Sequence, residues 1–363
     1  MKRETLISNL KKALAERHVI TVVGCGVSIA ACRNQKVEGH SVATWPGLLH
    51  HGLEHCKAIG VIGDDDVALI KPYIDSGKSN YLISAAEEIT SWMQERSPGE
   101  YRGWLKSTIG SLTVFDPTIL HALAALPGVL ATLNYERLIE DATGRAPVTW
   151  LQTDAVQDML LGRKPNAVLH LHGYYEDPDS IVLGLKSYLK VKDDLHAKAT
   201  LRLFTMDRTL LFVGCGDTVL DPNFTRLIEW GGEALKDIAP RHFLLCRTSE
   251  ITTFQAKLSN APWLQPLAYG DAYEDLPQFL QQLAPQASVA FDLPTPPLPD
   301  LDLSSYRRAI HKLHNRIKLE DIAASTHDVR VTLTGMFIEQ NAKECAEFMP
   351  PIYELPKELQ QYW

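Results

Sequence analysis

The sequence predicts an α/β protein built on a Rossmann-like, doubly wound parallel sheet. Short apolar runs, which we predict to be strands, alternate with longer stretches that have helical periodicity. These runs are apolar throughout, which is typical of parallel strands covered by helices on both faces. The predicted strands are Val19–Val23, Val129–Thr132, 168–171, Thr209–Val213 and 242–246. A sheet of this kind binds ligands at the carboxyl ends of its strands.

The chain divides into three predicted parts. Residues 1–285 form the α/β domain, in which an amphipathic helix over residues 5–17 precedes the first strand. Between about 45 and 126 the pattern is almost wholly helical, which predicts a helical insertion that covers the site. Residues 286–303 are rich in proline and predict an extended linker. Residues 304–363 are predicted to be a small C-terminal appendage.

The appendage is predicted to contain a helix over residues 304–319 and a strand over residues 329–333. Basic side chains recur near helical spacing in this helix, between Arg307 and Lys318. We favour a solvated helix face over a patch for nucleic acid or membrane.

Composition and charge argue against several classes of protein. The net charge of −8 argues against a nucleic-acid partner, because phosphate binding needs clustered Lys and Arg. No run approaches the ~20 apolar residues of a membrane span, and the charged first residues lack the apolar stretch of a secretory signal. We therefore expect a cytoplasmic protein with no membrane partner. The six cysteines show no paired spacing, which indicates reduced thiols and no disulfide framework.

The first candidate ligand site is the turn that follows the first strand. Gly24 and Gly26 would let a ligand approach the main chain closely, with Cys25 between them. Ser28 can donate a hydrogen bond near the start of the next helix. The third glycine of the usual dinucleotide turn is absent. A tight turn without a ligand is therefore an equally good interpretation of this segment alone.

A second glycine turn, with Gly214, Gly216 and Asp217, follows the strand Thr209–Val213. Two such turns in one sheet indicate a shared ligand site. Asp221 precedes a proline and suits the start of a helix, so we favour a structural role for that aspartate.

Asn134 and Glu136 follow the second predicted strand directly, where a doubly wound sheet presents its ligand-binding groups. The alternative is that Asn134 caps a helix predicted over residues 135–142. The residues alone favour the cap.

The segment that contains His170, His172 and Gly173 ends another predicted strand. We expect only one of the two histidines to reach the site. His172 is the better candidate, because a neutral imidazole at a strand end suits general-base work near pH 7. His170 is expected in the core or as a supporting residue, and a structural role for His172 is an equally good alternative.

Taken in order, the segments GCGVS, TLNYE, LHLHG and FVGCGDTVLDPNF resemble the motif series of the sirtuin-like family. The resemblance is to the NAD-hydrolysing branch of bacterial anti-phage defence in particular, and it covers roughly residues 15–285. It implies a Rossmann-like NAD+ site in which the family's asparagine and histidine fall on Asn134 and His172. The family usually has an aspartate where this sequence has Glu136.

The resemblance implies an enzyme that hydrolyses NAD+ as its substrate and requires no cofactor. Nicotinamide leaves a pyridinium as a neutral molecule, so the site must support an oxocarbenium-like ribosyl centre and deliver water. Asn134 could orient water or ribose, and His172 could bond the ribose hydroxyls or accept a proton as water attacks. Protein-deacylating sirtuins normally carry a four-cysteine zinc module. No CxxC pair occurs here, so deacylation is a weaker alternative and no zinc is expected. A noncatalytic nucleotide-binding sensor is another alternative.

The C-terminal pattern formed by Tyr306, Leu319, residues 329–333 and residues 336–338 resembles the segment that precedes NTPase modules in STAND-type sensors. The chain has no GxxxxGK[ST] phosphate loop, so such a sensor would lie beyond Trp363 or belong to another protein. The alternative is a small element for homo-oligomerisation. The family resemblance implies restrained basal activity, with activation by assembly or by an infection signal.

Overall fold

The computed structural model describes residues 3–200, 208–216, 242–259, 261 and 263–284, together with two short strands at 316–318 and 330–332. The predicted doubly wound α/β architecture is confirmed in this part of the chain. Seven parallel strands form one sheet, in the order β3-β4-β2-β1-β5-β6-β7. The strands are β1 (Val19–Val23), β2 (Val129–Thr132), β3 (Ala146–Thr149), β4 (Ala167–His170), β5 (Thr209–Val213), β6 (His242–Arg247) and β7 (Leu264–Gly270).

Strand β1 lies at the centre of the sheet and is buried along its whole length. Val19 and Val23 pack into one apolar cluster, whereas Ile20 and Val22 pack into another. Side chains of a strand alternate between the two faces of a sheet, so both faces of β1 are covered. Full burial of each such side chain stabilises the fold by about 1.5–3 kcal/mol. This two-sided burial is the reason that four of the five residues are apolar, and the fifth, Thr21, is buried as well.

The strand order reverses beside β1. The chain first builds β2, β3 and β4 on one side of it, and then returns to build β5, β6 and β7 on the other. In register, Val23 at the end of β1 lies opposite Thr132 of β2 and Val213 of β5. The loops that leave these three strands therefore begin side by side, at the position where open α/β sheets form a ligand crevice.

The two edge strands, β3 and β7, are additional to the five predicted from the sequence. Each contains a proline, Pro147 or Pro266. Proline cannot donate to a strand ladder, and within sheets it is confined to edges, strand starts and bulges. The first two residues of β3 are also exposed, so the segment lacks a continuous apolar run. The proline in each strand, and in β3 also the exposed residues, are the reason that a search for continuous apolar runs does not predict these edge strands.

Helices cover the sheet and fill the segment between β1 and β2. The described helices are α1 (Arg3–Ala15), α2 (Cys25–Ala31), α3 (Trp45–Ala58), α4 (Asp64–Asp75), α5 (Ser79–Arg96), α6 (Pro98–Ser107), α7 (Thr118–Ala124), α8 (Leu138–Thr143), α9 (Thr153–Leu160), α10 (Leu185–Asp193), α11 (Ile251–Lys257) and α12 (Asp275–Leu283). Single 3-10 turns lie at Ile109–Ser111, Pro178–Ser180 and Thr248–Glu250. None of the helices in this part of the chain has the length and apolar character needed to cross a bilayer.

Helices α3 to α7 occupy the segment predicted as a helical insertion. Helix α3 begins after Thr44, whose Oγ1 accepts a hydrogen bond from Gly47 N at 3.1 Å. Such a cap pairs one of the main-chain donors that a helix start leaves without an internal partner. Gly52 lets α3 approach its neighbours, because a Cβ there would lie 2.8 Å from Cγ2 of Ile89. The cap and the close packing fix the first turn of α3, which borders the site described below.

The C-terminal residues 289–363 form a compact unit separate from residues 1–288. Its described part is an antiparallel pair of strands, β8 (Arg316–Lys318) and β9 (Arg330–Thr332). Strand β9 lies within the predicted strand, but β8 occupies the end of the predicted helix 304–319, so that helix prediction is wrong at its end. Arg316, Ile317 and Lys318 alternate polar and apolar, a pattern that suits a paired strand as well as a helix face. The predicted linker, 286–303, lies outside the described residues.

The two glycine turns lie side by side at the centre of the sheet. Gly24 N donates to Val213 O at 2.9 Å, and Gly26 N donates to Gly214 O at 2.9 Å. A Cβ on Gly24 would lie 2.6 Å from Cα of Cys215, and a Cβ on Gly26 would lie 2.9 Å from Gly214 O. Real Cβ atoms do not approach main-chain atoms so closely. Glycine is therefore required because the main chains of the two turns are in direct contact.

We predict that Gly214→Ala destabilises the protein more than Gly144→Ala. The two glycines have nearly equal φ angles, 67° and 68°, so alanine meets a similar left-handed strain of about 1–2 kcal/mol at both. At Gly214 the new Cβ would also lie 2.8 Å from Val27 N, whereas at Gly144 no described atom lies within 4 Å. Overpacking adds about 1–3 kcal/mol. Equal losses of unfolding free energy in urea would show that the turns are not in tight contact.

Candidate functional site

A cleft opens where the loops after β1, β2 and β4 meet the helical insertion. Its void measures about 630 Å³, including the mouth that opens to solvent. Helix α2, directly after β1, supplies Cys25 and Ser28, and the loops after β2 and β4 supply Leu133, Asn134, Tyr135, Glu136 and His172. The opposite wall and the rim consist of Val42, Ala43, Thr44, Trp45, Leu48, Ile109, Leu112 and Tyr188. The cleft thus has a polar floor at the strand ends and a mainly apolar cover.

The cleft brings together five of the predicted site residues, which are Cys25, Ser28, Asn134, Glu136 and His172. The four predicted glycines, Gly24, Gly26, Gly214 and Gly216, are not among its lining residues in the described part of the chain. Gly24, Gly26 and Gly214 lie instead in the main-chain contact between the two turns. Asp217 lies outside the described residues, as does the predicted helix start at Asp221.

A chain of hydrogen bonds joins the loop after β2 to helix α2. Nδ2 of Asn134 donates to Oγ of Ser28 at 2.6 Å, and Ser28 Oγ donates to Oε1 of Glu136 in a short contact. Oε2 of Glu136 accepts from Leu138 N at 2.8 Å. The three side chains come from two segments that are far apart in sequence, and they meet because β1 and β2 are neighbours in the sheet.

This chain fixes the orientation of the Asn134 amide. In its ionised form the carboxylate of Glu136 can only accept, so the hydroxyl proton of Ser28 points towards it. The lone pairs of Ser28 are then left to accept, and only the NH₂ group of Asn134 can donate to them. Within the described residues, Oδ1 of Asn134 takes part in none of these bonds. It remains available on the cleft side to accept a hydrogen bond from a ligand hydroxyl or a water.

Asn134 is not a helix cap, which corrects the interpretation that the residues alone favour. Helix α8 begins at Leu138 and not at 135, and Arg137 occupies its N-cap position. The acceptor for the first helical amide is the side chain of Glu136. A helix start leaves its first amides without internal partners, so Glu136 satisfies this one. The amide side chain of Asn134 is thereby left for the Ser28 contact.

Glu136 is a buried carboxylate, with only 6% of its surface exposed. Burial is the largest influence on its pKa and raises it above the ordinary value of 4.5. The hydrogen bonds from Ser28 and Leu138 oppose that shift because they favour the ionised form. The nearby carboxylate of Glu140 raises the pKa further, and His170 lowers it.

The end of β4 separates the two histidines, because His170 is its last residue and His172 follows it. Residues two apart on one continuous strand share a face, but β4 ends at His170. The following turn uses Gly173 at φ 94°, where a Cβ would collide with Ser180 O. His172 lies on this turn with 5% of its surface exposed, lines the cleft, and meets Tyr188 edge-on at 6.2 Å between ring centroids. His170 is fully buried.

The cover of the cleft contains residues that no sequence motif singled out. Trp45 and Leu48 come from the first two turns of α3, and Tyr188 comes from α10. Sequence patterning predicts that the insertion covers the site, but not which of its residues contact it. One usable signal was present, since Thr44 followed by Trp45 and a proline is a helix start. Such a start predicts where the first turn of the cover lies.

We predict that Glu136→Gln changes how stability depends on pH. The folded-state pKa of Glu136 is raised, so the wild type loses unfolding free energy as pH rises from about 4.5 through that pKa. Glutamine does not titrate, so the unfolding free energy of the variant, relative to that of the wild type, should increase as pH rises across that window. Urea unfolding at several values between pH 4 and 8 measures the difference. Glu16→Gln, at an exposed carboxylate, is the control, and a similar profile for both variants would contradict the prediction.

One comparison with known protein families bears on this site. Residues 128–266 match a family model described as a SIR2-like domain. The matched range includes Asn134, Glu136, His170, His172 and Gly214, whereas the first glycine turn precedes it. SIR2-like domains are NAD-dependent enzymes, so an NAD-related activity fits both the match and the cleft. The match supports assignment of the region that carries the asparagine and the histidine to a sirtuin-like family.

Proposed function

We propose that this chain hydrolyses NAD+ to nicotinamide and ADP-ribose. The observation that carries the proposal is the convergence of Asn134 and His172 on one cleft, from loops that follow two different strands. The fixed amide of Asn134 provides an acceptor at the cleft. The imidazole of His172 provides a ring nitrogen of the kind that acts as a general base. The SIR2-like match over the same residues supports NAD+ as the substrate.

The proposed reaction breaks the bond between nicotinamide and ribose. Nicotinamide leaves as a neutral molecule, so no acid is required to protonate it, and positive charge develops on the ribosyl centre as in glycoside hydrolysis. Asn134 Oδ1 orients the water or a ribose hydroxyl. His172 accepts the proton of the attacking water or bonds to the ribose. Positioning and general-base catalysis of this kind each contribute about 10²-fold or more.

The apolar cover suits the other half of this chemistry. Trp45 and Leu48 of α3 form part of a wall that can contact an aromatic ring and keep bulk water away. When bulk water is excluded, the water that the polar groups orient is the one that attacks the ribose. No cofactor is needed in this scheme, because water supplies the new hydroxyl group of ADP-ribose, NAD+ supplies every other atom of the two products, and the remaining proton of the water is released.

We further propose that the hydrolysis serves anti-phage defence, by depleting NAD+ when the protein is activated. Uncontrolled NAD+ hydrolysis would harm the cell that makes the enzyme. We therefore expect weak basal activity in the isolated chain, with activation through homo-oligomerisation or a sensor module, in the same chain or in another. A protein deacylase and a noncatalytic nucleotide-binding sensor are the competing functions. They predict, respectively, dependence on an acyl-lysine peptide and binding without turnover.

The proposal predicts that concentrated protein releases nicotinamide and ADP-ribose from NAD+ without any peptide. We expect Asn134→Ala and His172→Ala each to lower this rate about 100-fold, because each removes a group that positions or deprotonates the nucleophile. Chromatographic quantitation of both products measures the rate.

Asn80→Ala and His121→Ala are matched controls, because both side chains are exposed and neither lines the cleft. They should retain the wild-type rate. Turnover that appears only with an acyl-lysine peptide would show that the chain is a protein deacylase and not an NAD+ hydrolase. Tight NAD+ binding with no products at any protein concentration would support the sensor instead.

A further inference from the structure

A buried histidine–glutamate pair lies against the loop that carries Asn134. Nε2 of His170 lies 2.8 Å from Oε1 of Glu140, and the two side chains are 0% and 4% exposed. Nδ1 of His170 lies 3.1 Å from the main-chain oxygen of Asn134. We propose that His170 and Glu140 are positioning residues that hold the Asn134 main chain, and with it the amide that faces the substrate. This proposal rests on the proposed function.

The partners of His170 determine where its protons are. A main-chain carbonyl can only accept, so Nδ1 carries a proton and donates it to Asn134 O. The Nε2 contact with Glu140 then holds a second proton, on the imidazole or on the carboxyl group. In either form the pair is neutral overall and Nδ1 is a donor. Glu140 thus selects the protonation state in which His170 can bind the Asn134 carbonyl.

The rest of the loop is fixed through other main-chain bonds. Leu133 N donates to Val23 O at 2.9 Å, and Asn134 N donates to Oγ1 of Thr132 at 3.0 Å. Tyr135 O accepts from Tyr175 N at 3.0 Å. The Asn134 carbonyl lies between these points, and His170 is its described partner. Loss of that donor would leave a carbonyl without a bond and free the peptide plane beside the reactive side chain to rotate.

Burial of His170 and Glu140 costs stability, and a purely structural role does not explain that cost. Oε2 of Glu140 is buried and has no hydrogen-bond partner among the described residues. A buried ion pair can often be replaced by apolar side chains without loss of stability. The same pair also acts on the charge of the site, since Glu140 and His170 shift the pKa of Glu136 in opposite directions. Both effects act on the Asn134–Ser28–Glu136 chain.

A double-mutant cycle on kcat tests the proposal. We expect His170→Phe to lower kcat for NAD+ hydrolysis about 10-fold to 100-fold in the wild type, because misplacement of a positioned group has that effect. In the Asn134→Ala background the same change should lower kcat less than about threefold, because the group that His170 positions is gone. Equal effects in both backgrounds would overturn the proposal.

Two further variants separate positioning from folding. Glu140→Gln can still hydrogen-bond to Nε2 and should keep kcat within a fewfold of the wild type, whereas Glu140→Leu should resemble His170→Phe. His242→Phe is the matched control, because His242 is also fully buried in the sheet but lies at the start of β6. Its effect on kcat should be the same with and without Asn134. A Gln variant as impaired as the Leu variant would contradict the proposed role of Glu140.

A measurement without turnover distinguishes failure of this proposal from failure of the proposed function. In ¹⁵N-labelled protein, the side-chain amide signal of Asn134 is identified by its absence in Asn134→Ala. It should shift in His170→Phe and Glu140→Leu, and stay in place in Glu140→Gln and His242→Phe. An unmoved signal would overturn the positioning role whatever the activity. A wild type that releases no nicotinamide, with the signal shifted as expected, would overturn only the proposed hydrolysis.

Discussion

The site depends on the main-chain contact between the two glycine turns at the centre of the sheet. Two hydrogen bonds, from Gly24 N to Val213 O and from Gly26 N to Gly214 O, join the end of β1 to the end of β5. Because no side chain separates the turns, α2 starts directly against the sheet. Ser28, one turn into α2, is thereby brought within reach of the loop after β2. A bulkier residue in either turn would move Ser28 away from Asn134 and Glu136.

The polar floor of the cleft is held together by the buried carboxyl group of Glu136. Removing a carboxylate from water is costly, and Glu136 regains part of that cost through two donors, Ser28 and Leu138. The second donor is the first amide of α8, so the same carboxylate starts the helix and orients Ser28. Through Ser28 the carboxyl group also fixes which end of the Asn134 amide faces the cleft. A single buried group thus links local folding to the geometry of the reactive side chain.

The polar floor and the apolar cover have different origins in the chain. Ser28, Asn134 and His172 follow parallel strands, whose ends the sheet aligns at one edge. The cover comes from the insertion between β1 and β2 and from α10, elements with their own packing. In the proposed function, the floor positions the reactive groups and the cover excludes water. The strand ends fix where the polar groups start, and Tyr188 of the cover contacts His172 of the floor.

The sequence by itself determined the fold class and the strand ends at which the site lies. The central strands were predicted because burial on both faces favours a mostly apolar run, as in Val19–Val23. The edge strands were not, because Pro147 and Pro266 occur where only one side of a strand is paired. Local pattern also identified Asn134 and His172 as candidates, since both follow predicted strands.

Only the tertiary structure decided what these residues contact. The capping role that the sequence favours for Asn134 is absent because Glu136 provides the acceptor at the start of α8. The glycines contact one another across the sheet, which a single turn cannot reveal. Trp45 and Tyr188 line the cleft from elements far away in the chain. The physical reason is the same in each case: a local pattern records the periodicity of a segment, whereas partners are chosen by strand order and packing.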